Sequence, residues 1–133
     1  MPNSEKHEAA IQAALDARAQ AYAKYSGSQV GAALLCEGGE IITGCNVENA
    51  SYGLTICAER VAIFNAVSQG LRKFTAVAIA TADAGPPCGA CRQVMSEFSS
   101  DLPILLVAVD RPSEVFATSL DDLLPMQFDL DAP

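Results

Sequence analysis

The stretch FTAVAIATADAGPPCGACRQVMSEF, Phe74–Phe98, changes character partway along. Its opening run, FTAVAIATA, is uncharged and rich in β-branched residues, which predicts a buried strand. Gly85, Pro86 and Pro87 then break the chain, and a helix follows whose first turn holds Cys88 and Cys91. A buried strand that passes through a break into a helix is one step of a layered α/β fold, so the flanking sequence should repeat the alternation.

It does so in both directions. Upstream, apolar residues at helical spacing (Ala9, Ile11, Ala14, Leu15, Ala21, Tyr22) predict a first helix from Ser4 to about Lys24, with Ser4 as its cap. QVGAALLC and EIITGCNV flank the turn signal Gly38-Gly39 and read as a hairpin. A polar loop, Glu48 to Thr55, leads into a helix from about Ile56 to Gln69 that stops at Gly70. Downstream, PILLVAV is a buried strand, EVFATS a shorter one, and SLDDLLP a last helical turn before an acidic tail. The pattern predicts an α/β domain, residues 1–133, with helices on both faces of one sheet.

Composition narrows the function classes. With 133 residues, half of them apolar and 18 % charged, the chain has enough material for one core and lacks the signature of disorder. Eight basic against sixteen acidic residues give a formal charge of −8, which repels polyphosphates and offers no basic stripe to DNA or RNA. Small neutral ligands are the better expectation. The opening MPNSEKHEAA has no signal-peptide run and no later segment reaches membrane-spanning length, so the expected setting is cytoplasmic, without a membrane partner. Five cysteines in such a chain read as metal ligands or buried thiols rather than a disulfide framework.

Spacing separates these cysteines. Cys88-Gly89-Ala90-Cys91 is a C-x-x-C pair that alone fits zinc, redox chemistry or simple burial. Cys57, in TICAERVAIF, also stands at a predicted helix start, where the macrodipole favours a thiolate. Two helix starts could therefore meet on one cation. Three thiolates with no fourth protein ligand form the donor set of a catalytic zinc, which keeps a position open for water. Glu59, two residues beyond Cys57, would reach that water without binding the metal, as a proton shuttle must. Arg60 would offset the excess negative charge of three thiolates around one Zn²⁺. Taken alone, Glu59 reads better as a helix N-terminal acid favoured by the dipole, and the lesser alternative for Arg60 is a surface salt bridge.

CNVENASYGLTICAER and PCGACRQV together resemble the cytidine deaminases of the small, homotetrameric, zinc-dependent type, and the likeness runs from about Tyr25 to Phe128. The resemblance implies a three-layer α/β/α sandwich with a mixed central sheet. It implies one Zn²⁺ per chain held by Cys57, Cys88 and Cys91, and Glu59 as general acid and base. It also implies that Asn46 and Glu48 hold the ribose, that the Ala58 N–H meets the base O2, and that the Pro86 carbonyl lies near the leaving amine. Phe128 matches the position whose ring is lent to a neighbouring subunit. The implied reaction is hydrolytic deamination of cytidine or 2′-deoxycytidine to uridine or 2′-deoxyuridine, with release of ammonia, in pyrimidine salvage. A carboxylate at Glu48 would repel a 3′-phosphate, which favours free nucleosides over nucleic acid.

One departure bears on substrate. Where the family reads Tyr-Ser-x-Phe-Pro-Val-Gly-Ala-Ala-Leu, this chain reads YSGSQVGAAL, with Ser28 and Gln29 at the Phe-Pro positions. A modified or bulkier cytosine nucleoside is therefore an alternative substrate, and a non-catalytic zinc module used for assembly is a further alternative. His7, the one histidine, is expected on an exposed helix start with no catalytic part, and Cys36 and Cys45 as small buried hydrophobes. Met95 and Phe98 are expected in the core.

Overall fold

The computed structural model describes residues 4–131. Its elements are α1 (Ser4–Arg18), β1 (Gly31–Cys36), β2 (Ile41–Cys45), a 3₁₀ turn (Tyr52–Leu54), α2 (Ala58–Ser68), β3 (Phe74–Thr81), α3 (Gly89–Phe98), β4 (Pro103–Ala108), β5 (Val115–Ser119) and α4 (Leu120–Leu123). The five strands form one sheet in the order β2-β1-β3-β4-β5. The β3–β4 pair is parallel, as a strand–helix–strand passage through α3 allows, and the other three pairs are antiparallel. The sheet is mixed, with helices on both faces, as the resemblance implied.

Alternation along the strands divides the core. Ala32 and Leu34 of β1, Val77 and Ile79 of β3, and Ile104 and Leu106 of β4 face one way, towards Ala62, Ile63 and Ala66 of α2 and Cys91 and Met95 of α3. Ala33, Ala78, Ala80, Leu105 and Val107 face the other way, towards Ala10, Ile11 and Ala14 of α1. Alanine lines much of this second face, so α1 lies close to the sheet. At Gly31 an added Cβ would stand 2.0 Å from the Ala14 carbonyl oxygen and 2.5 Å from the Arg18 nitrogen. Gly44 does the same for α2, where a Cβ would meet the Ala62 nitrogen at 2.4 Å and the Ala58 carbonyl oxygen at 2.6 Å. Glycine at these two positions sets how near each helix backbone can come.

Three boundaries differ from the sequence expectation. Helix α1 ends at Arg18 rather than about Lys24, because the Tyr22 N–H donates to the Asn46 carbonyl and the Tyr22 carbonyl accepts from the Glu48 N–H. Ser4 is itself the first helical residue, and a capping bond from its side chain lies outside what is described. Helix α2 begins at Ala58 rather than Ile56, since Ile56 exchanges both backbone bonds with Val47 and Cys57 becomes the cap. On α1 it is Ala10, not Ala9, that turns to the sheet, and His7 is half-buried beside Lys6, Leu35 and Thr75 rather than exposed. Cys36 and Met95 are buried as expected, while Cys45 and Phe98 are partly so. Among the described residues no helix is long and apolar enough to cross a membrane.

Candidate active site

Two helix starts converge. Cys57 caps α2 and Cys88 caps α3, both with extended backbone, and Cys91 lies one turn into α3. The Cys88 sulfur accepts the Cys91 N–H at 3.5 Å, which fixes the turn that brings both thiols to one side. Cys57 Sγ stands 3.8 Å from Cys88 Sγ, and Cys88 Sγ 3.4 Å from Cys91 Sγ. All three lie within 4.8 Å of one another, and none is in a disulfide. Ligands at about 2.3 Å from a tetrahedral zinc stand about 3.8 Å apart, a spacing close to that of the two measured sulfur pairs, so the cluster is suited to a metal ion.

Arg60, next to Glu59 on the first turn of α2, donates from Nη2 to Cys57 Sγ at 3.4 Å. Its Nε is buried and has no partner among the described residues, so the guanidinium is committed to the thiol cluster rather than to a surface carboxylate. The Cys57 thiol is held down to about 5, first by the neighbouring Cys91 thiol and further by Arg60 and Cys88, against a burial that would raise it. Cys91 moves up for the complementary reason, first its bond to Cys57 and then burial. Arg60 itself is raised, chiefly by Cys57, and stays charged.

A cavity of about 280 Å³ opens over these sulfurs, near the lower end of the range for small-ligand pockets, roughly 300–1,000 Å³. Cys57, Cys88 and Glu59 form its floor, Ile56, Ile79 and Pro86 an apolar wall, and Ser26, Ser28, Asn46 and Glu48 a polar one. No aromatic side chain among the described residues lines it. Glu59 is 4 % exposed, and burial above all raises its carboxyl group above the ordinary carboxylate range. A carboxyl group shifted upward by burial is of the kind that can both give and take a proton.

The polar wall is pinned from behind. Asn46, 8 % exposed, accepts the Val30 N–H at Oδ1 (2.8 Å) and donates from Nδ2 to the Ser28 carbonyl (2.8 Å). Arg18 Nε at the end of α1 donates to the Gln29 carbonyl at 2.9 Å. Glu48 accepts the N–H groups of Tyr25 and Ser26 at 2.9 and 3.1 Å, together with the Ser26 hydroxyl. That hydroxyl, above the other contacts, holds the Glu48 carboxyl below its usual range.

Eight of the ten candidate residues from the sequence thus meet at one place: Cys57, Cys88, Cys91, Glu59, Arg60, Asn46, Glu48 and Pro86. Ala58, the first residue of α2, has a buried side chain and a backbone N–H with no acceptor among the described residues. Phe128 does not line this cavity; its side chain is 70 % exposed, and its carbonyl accepts from Gln93 Nε2 at 3.5 Å. The sequence reading passed over Ser26, Thr55, Ile56, Ile79 and Thr81, which also line the cavity. The one signal for them was position: the ends of β3 and of the polar loop are where an α/β sheet opens its crevices.

Comparison with known proteins agrees with this geometry. Residues 4–106 match the family model described as the cytidine and deoxycytidylate deaminase zinc-binding region. A cytidine deaminase of Sporosarcina psychrophila is 49 % identical over 115 residues, covering 84 % of this chain and 83 % of that protein. One of Halalkalibacterium halodurans is 47 % identical over 121 residues, covering 89 % and 90 %. The crystal structure of cytidine deaminase from Burkholderia pseudomallei superposes with a TM-score of 0.85 at 50 % identity, covering 92 % of this chain and 98 % of that one.

Proposed function

The chain belongs to the cytidine and deoxycytidylate deaminase zinc-binding family, and on that premise we propose that it is a zinc-dependent cytidine deaminase. It converts cytidine and 2′-deoxycytidine to uridine and 2′-deoxyuridine with release of ammonia, as in pyrimidine salvage. The observation that carries this reading is the meeting of three thiols with a buried glutamate on the floor of one cavity.

Cys57, Cys88 and Cys91 hold one Zn²⁺ per chain, and Arg60 moderates the charge of the thiolates. When bound, zinc supplies a Lewis acid that brings the pKa of a water ligand towards neutrality. Glu59 takes the proton released as water adds to the ring carbon that bears the amine, and returns it to ring N3. It then carries the proton of the newly added hydroxyl to the amine, which leaves as ammonia while the ring carbon keeps the oxygen as its carbonyl. Its burial supports this role, because a carboxyl group with a raised pKa both accepts and gives back a proton readily. Asn46 and Glu48 hold the ribose, the Ala58 N–H the base O2, and the Pro86 carbonyl the amine.

We place the whole chain in one domain that assembles as a cytoplasmic homotetramer acting on free nucleosides, with no nucleic-acid or membrane partner. The exposed apolar side chains Tyr52, Leu54, Met126 and Phe128 support self-association, with Phe128 serving a neighbouring subunit's site. A second reading, deamination of a modified or bulkier cytosine nucleoside, is favoured by a cavity whose wall carries Ser26 and Ser28 and no aromatic ring. Zinc-loaded protein offered a panel of cytosine nucleosides should lose the cytosine absorbance and release ammonia. Glu59→Gln should keep its zinc and lose at least about 10²-fold in turnover. Intact nucleosides across the panel would defeat both readings, and near-normal turnover in the variant would remove Glu59 from the mechanism.

A further inference from the structure

Between β3 and α3 the chain runs Ala82-Asp83-Ala84-Gly85-Pro86-Pro87, and this short loop is fastened at both ends. At its start the Gly85 N–H is shared by two acceptors, Thr81 Oγ1 and Asp83 Oδ1, each at 3.1 Å. The Thr81 hydroxyl in turn donates to Asp83 Oδ1 at 3.3 Å. This clasp closes over Ala84, whose φ of 60° is left-handed, a conformation that a residue with a Cβ keeps only where its surroundings enforce it. At the other end Arg92 Nε donates to the Pro87 carbonyl at 2.8 Å, while Arg92 Nη1 donates to the Leu123 carbonyl at 2.9 Å.

Pro86 lies between the two fastenings. It lines the cavity beside Cys88, and its carbonyl accepts no hydrogen bond among the described residues. Both prolines lack an N–H and have φ locked by their rings, so with Gly85 and Pro87 fixed the peptide between them has little freedom to turn. Gly85 and Pro86 both line the cavity and neither carbonyl accepts a hydrogen bond among the described residues, but only the Pro86 carbonyl belongs to the peptide next to the fastened Pro87, one residue from Cys88.

We propose that Thr81, Asp83 and Arg92 are positioning residues that aim the Pro86 carbonyl at the exocyclic amine of the pyrimidine, so that the site distinguishes an amine-bearing base from its oxo product. The inference rests on the deaminase reading and deepens it. A carbonyl accepts a hydrogen bond from a 4-amino group and opposes a 4-oxo group, which has nothing to donate. Fixing the carbonyl thus favours substrate over product in one site. Loosening the clasp lets the carbonyl turn away, which costs the substrate its contact and the product nothing.

The test uses zinc-loaded protein and the variants Asp83→Ala, Asp83→Asn, Thr81→Val and Thr81→Ser, with zinc content measured for each. Asp83 is exposed, and a thermal melt of each variant checks that the fold is kept. Asp83→Ala and Thr81→Val should lower kcat/KM for cytidine about tenfold, while the inhibition constant of uridine changes less than twofold. Asp83→Asn and Thr81→Ser, which retain an acceptor for the Gly85 N–H, should recover to within about threefold of the parent. A parallel loss of cytidine turnover and uridine binding would mean that the loop only supports the fold, and the proposal would fall. Unchanged cytidine kinetics in Asp83→Ala would also overturn it while leaving the deaminase reading intact. Parent protein that leaves cytidine untouched would overturn that reading and the proposal together.

Discussion

Replacing Asn46 by alanine removes the amide that holds the polar wall of the cavity, and the cost can be worked from its two bonds. Asn46 Oδ1 is the acceptor for the Val30 N–H and Nδ2 the donor to the Ser28 carbonyl, both at 2.8 Å and part-buried. A buried backbone group left without a partner costs about 1–3 kcal/mol, and partial exposure lets water recover some of that. Taking about 1–2 kcal/mol for each group, Asn46→Ala should destabilise the protein by about 2–4 kcal/mol. With a urea m-value of about 1–3 kcal/mol/M, the unfolding midpoint should fall by about 1–2 M at fixed chain concentration. Ser28→Ala is the control, because Ser28 contributes its backbone to this network and its hydroxyl has no partner among the described residues. It should stay within about 0.5 kcal/mol of the parent. An Asn46→Ala variant as stable as the Ser28→Ala control would refute the reasoning, since the segment 28–30 would then not depend on the amide.

Three other outcomes are expected. Cys57→Ala, Cys88→Ala and Cys91→Ala should each lose zinc on elemental analysis while Cys36→Ala and Cys45→Ala keep it; equal losses in all five would undo the ligand assignment. Gly44→Ala should cost about 1–3 kcal/mol by overpacking and weaken zinc retention, because the new methyl would press on α2 at Ala58 and Ala62, next to Cys57. Glu48 has a depressed pKa, so the bonds it forms persist above the ordinary glutamate value of about 4.3 and are lost only as pH falls through the lower folded-state value. An NMR titration of the Tyr25 and Ser26 amides should place that midpoint below the ordinary value, and a midpoint at or above it would contradict the geometry.

The parts of the molecule readable from sequence are those where several local signals coincide. FTAVAIATA could only be a buried strand, and Gly-Pro-Pro followed by Cys-x-x-Cys could only end it and start something new. Cys57, Glu59 and Arg60 were legible because each chemical type had a use only if the others were present. The boundaries that moved did so through bonds between residues far apart in the chain. Tyr22 leaves the helical pattern because Asn46 and Glu48 claim its backbone, and Ile56 does so because Val47 claims both of its groups. The hydroxyls of Ser26 and Thr81 were invisible for a related reason. Serine and threonine before a turn are too common to single out, and only the folded chain brings them to Glu48 and to the Gly85 N–H. Propensity and periodicity report on neighbours along the chain, whereas these contacts span it.

Charge links the floor of the cavity to its mouth. With zinc bound as proposed, three thiolates around a divalent cation would leave an excess of one negative charge, which the Arg60 guanidinium on Cys57 would offset. Under the deaminase reading that leaves Glu59 as the acid of the floor, kept for the proton transfers, and Glu48 as the carboxylate of the polar wall. Glu48 is not free to swing aside, because two N–H groups and a hydroxyl from the Tyr25–Ser26 turn hold it. Under the deaminase reading this fixed carboxylate is an acceptor for a sugar hydroxyl, and a phosphate on the same oxygen would meet it head-on. The formal charge of −8 on the chain opposes the same ligands at longer range. Under that reading, selection against a 3′-phosphate needs no separate device: the bonds that orient Glu48 towards a hydroxyl also prevent it from retreating before a phosphate on the same oxygen.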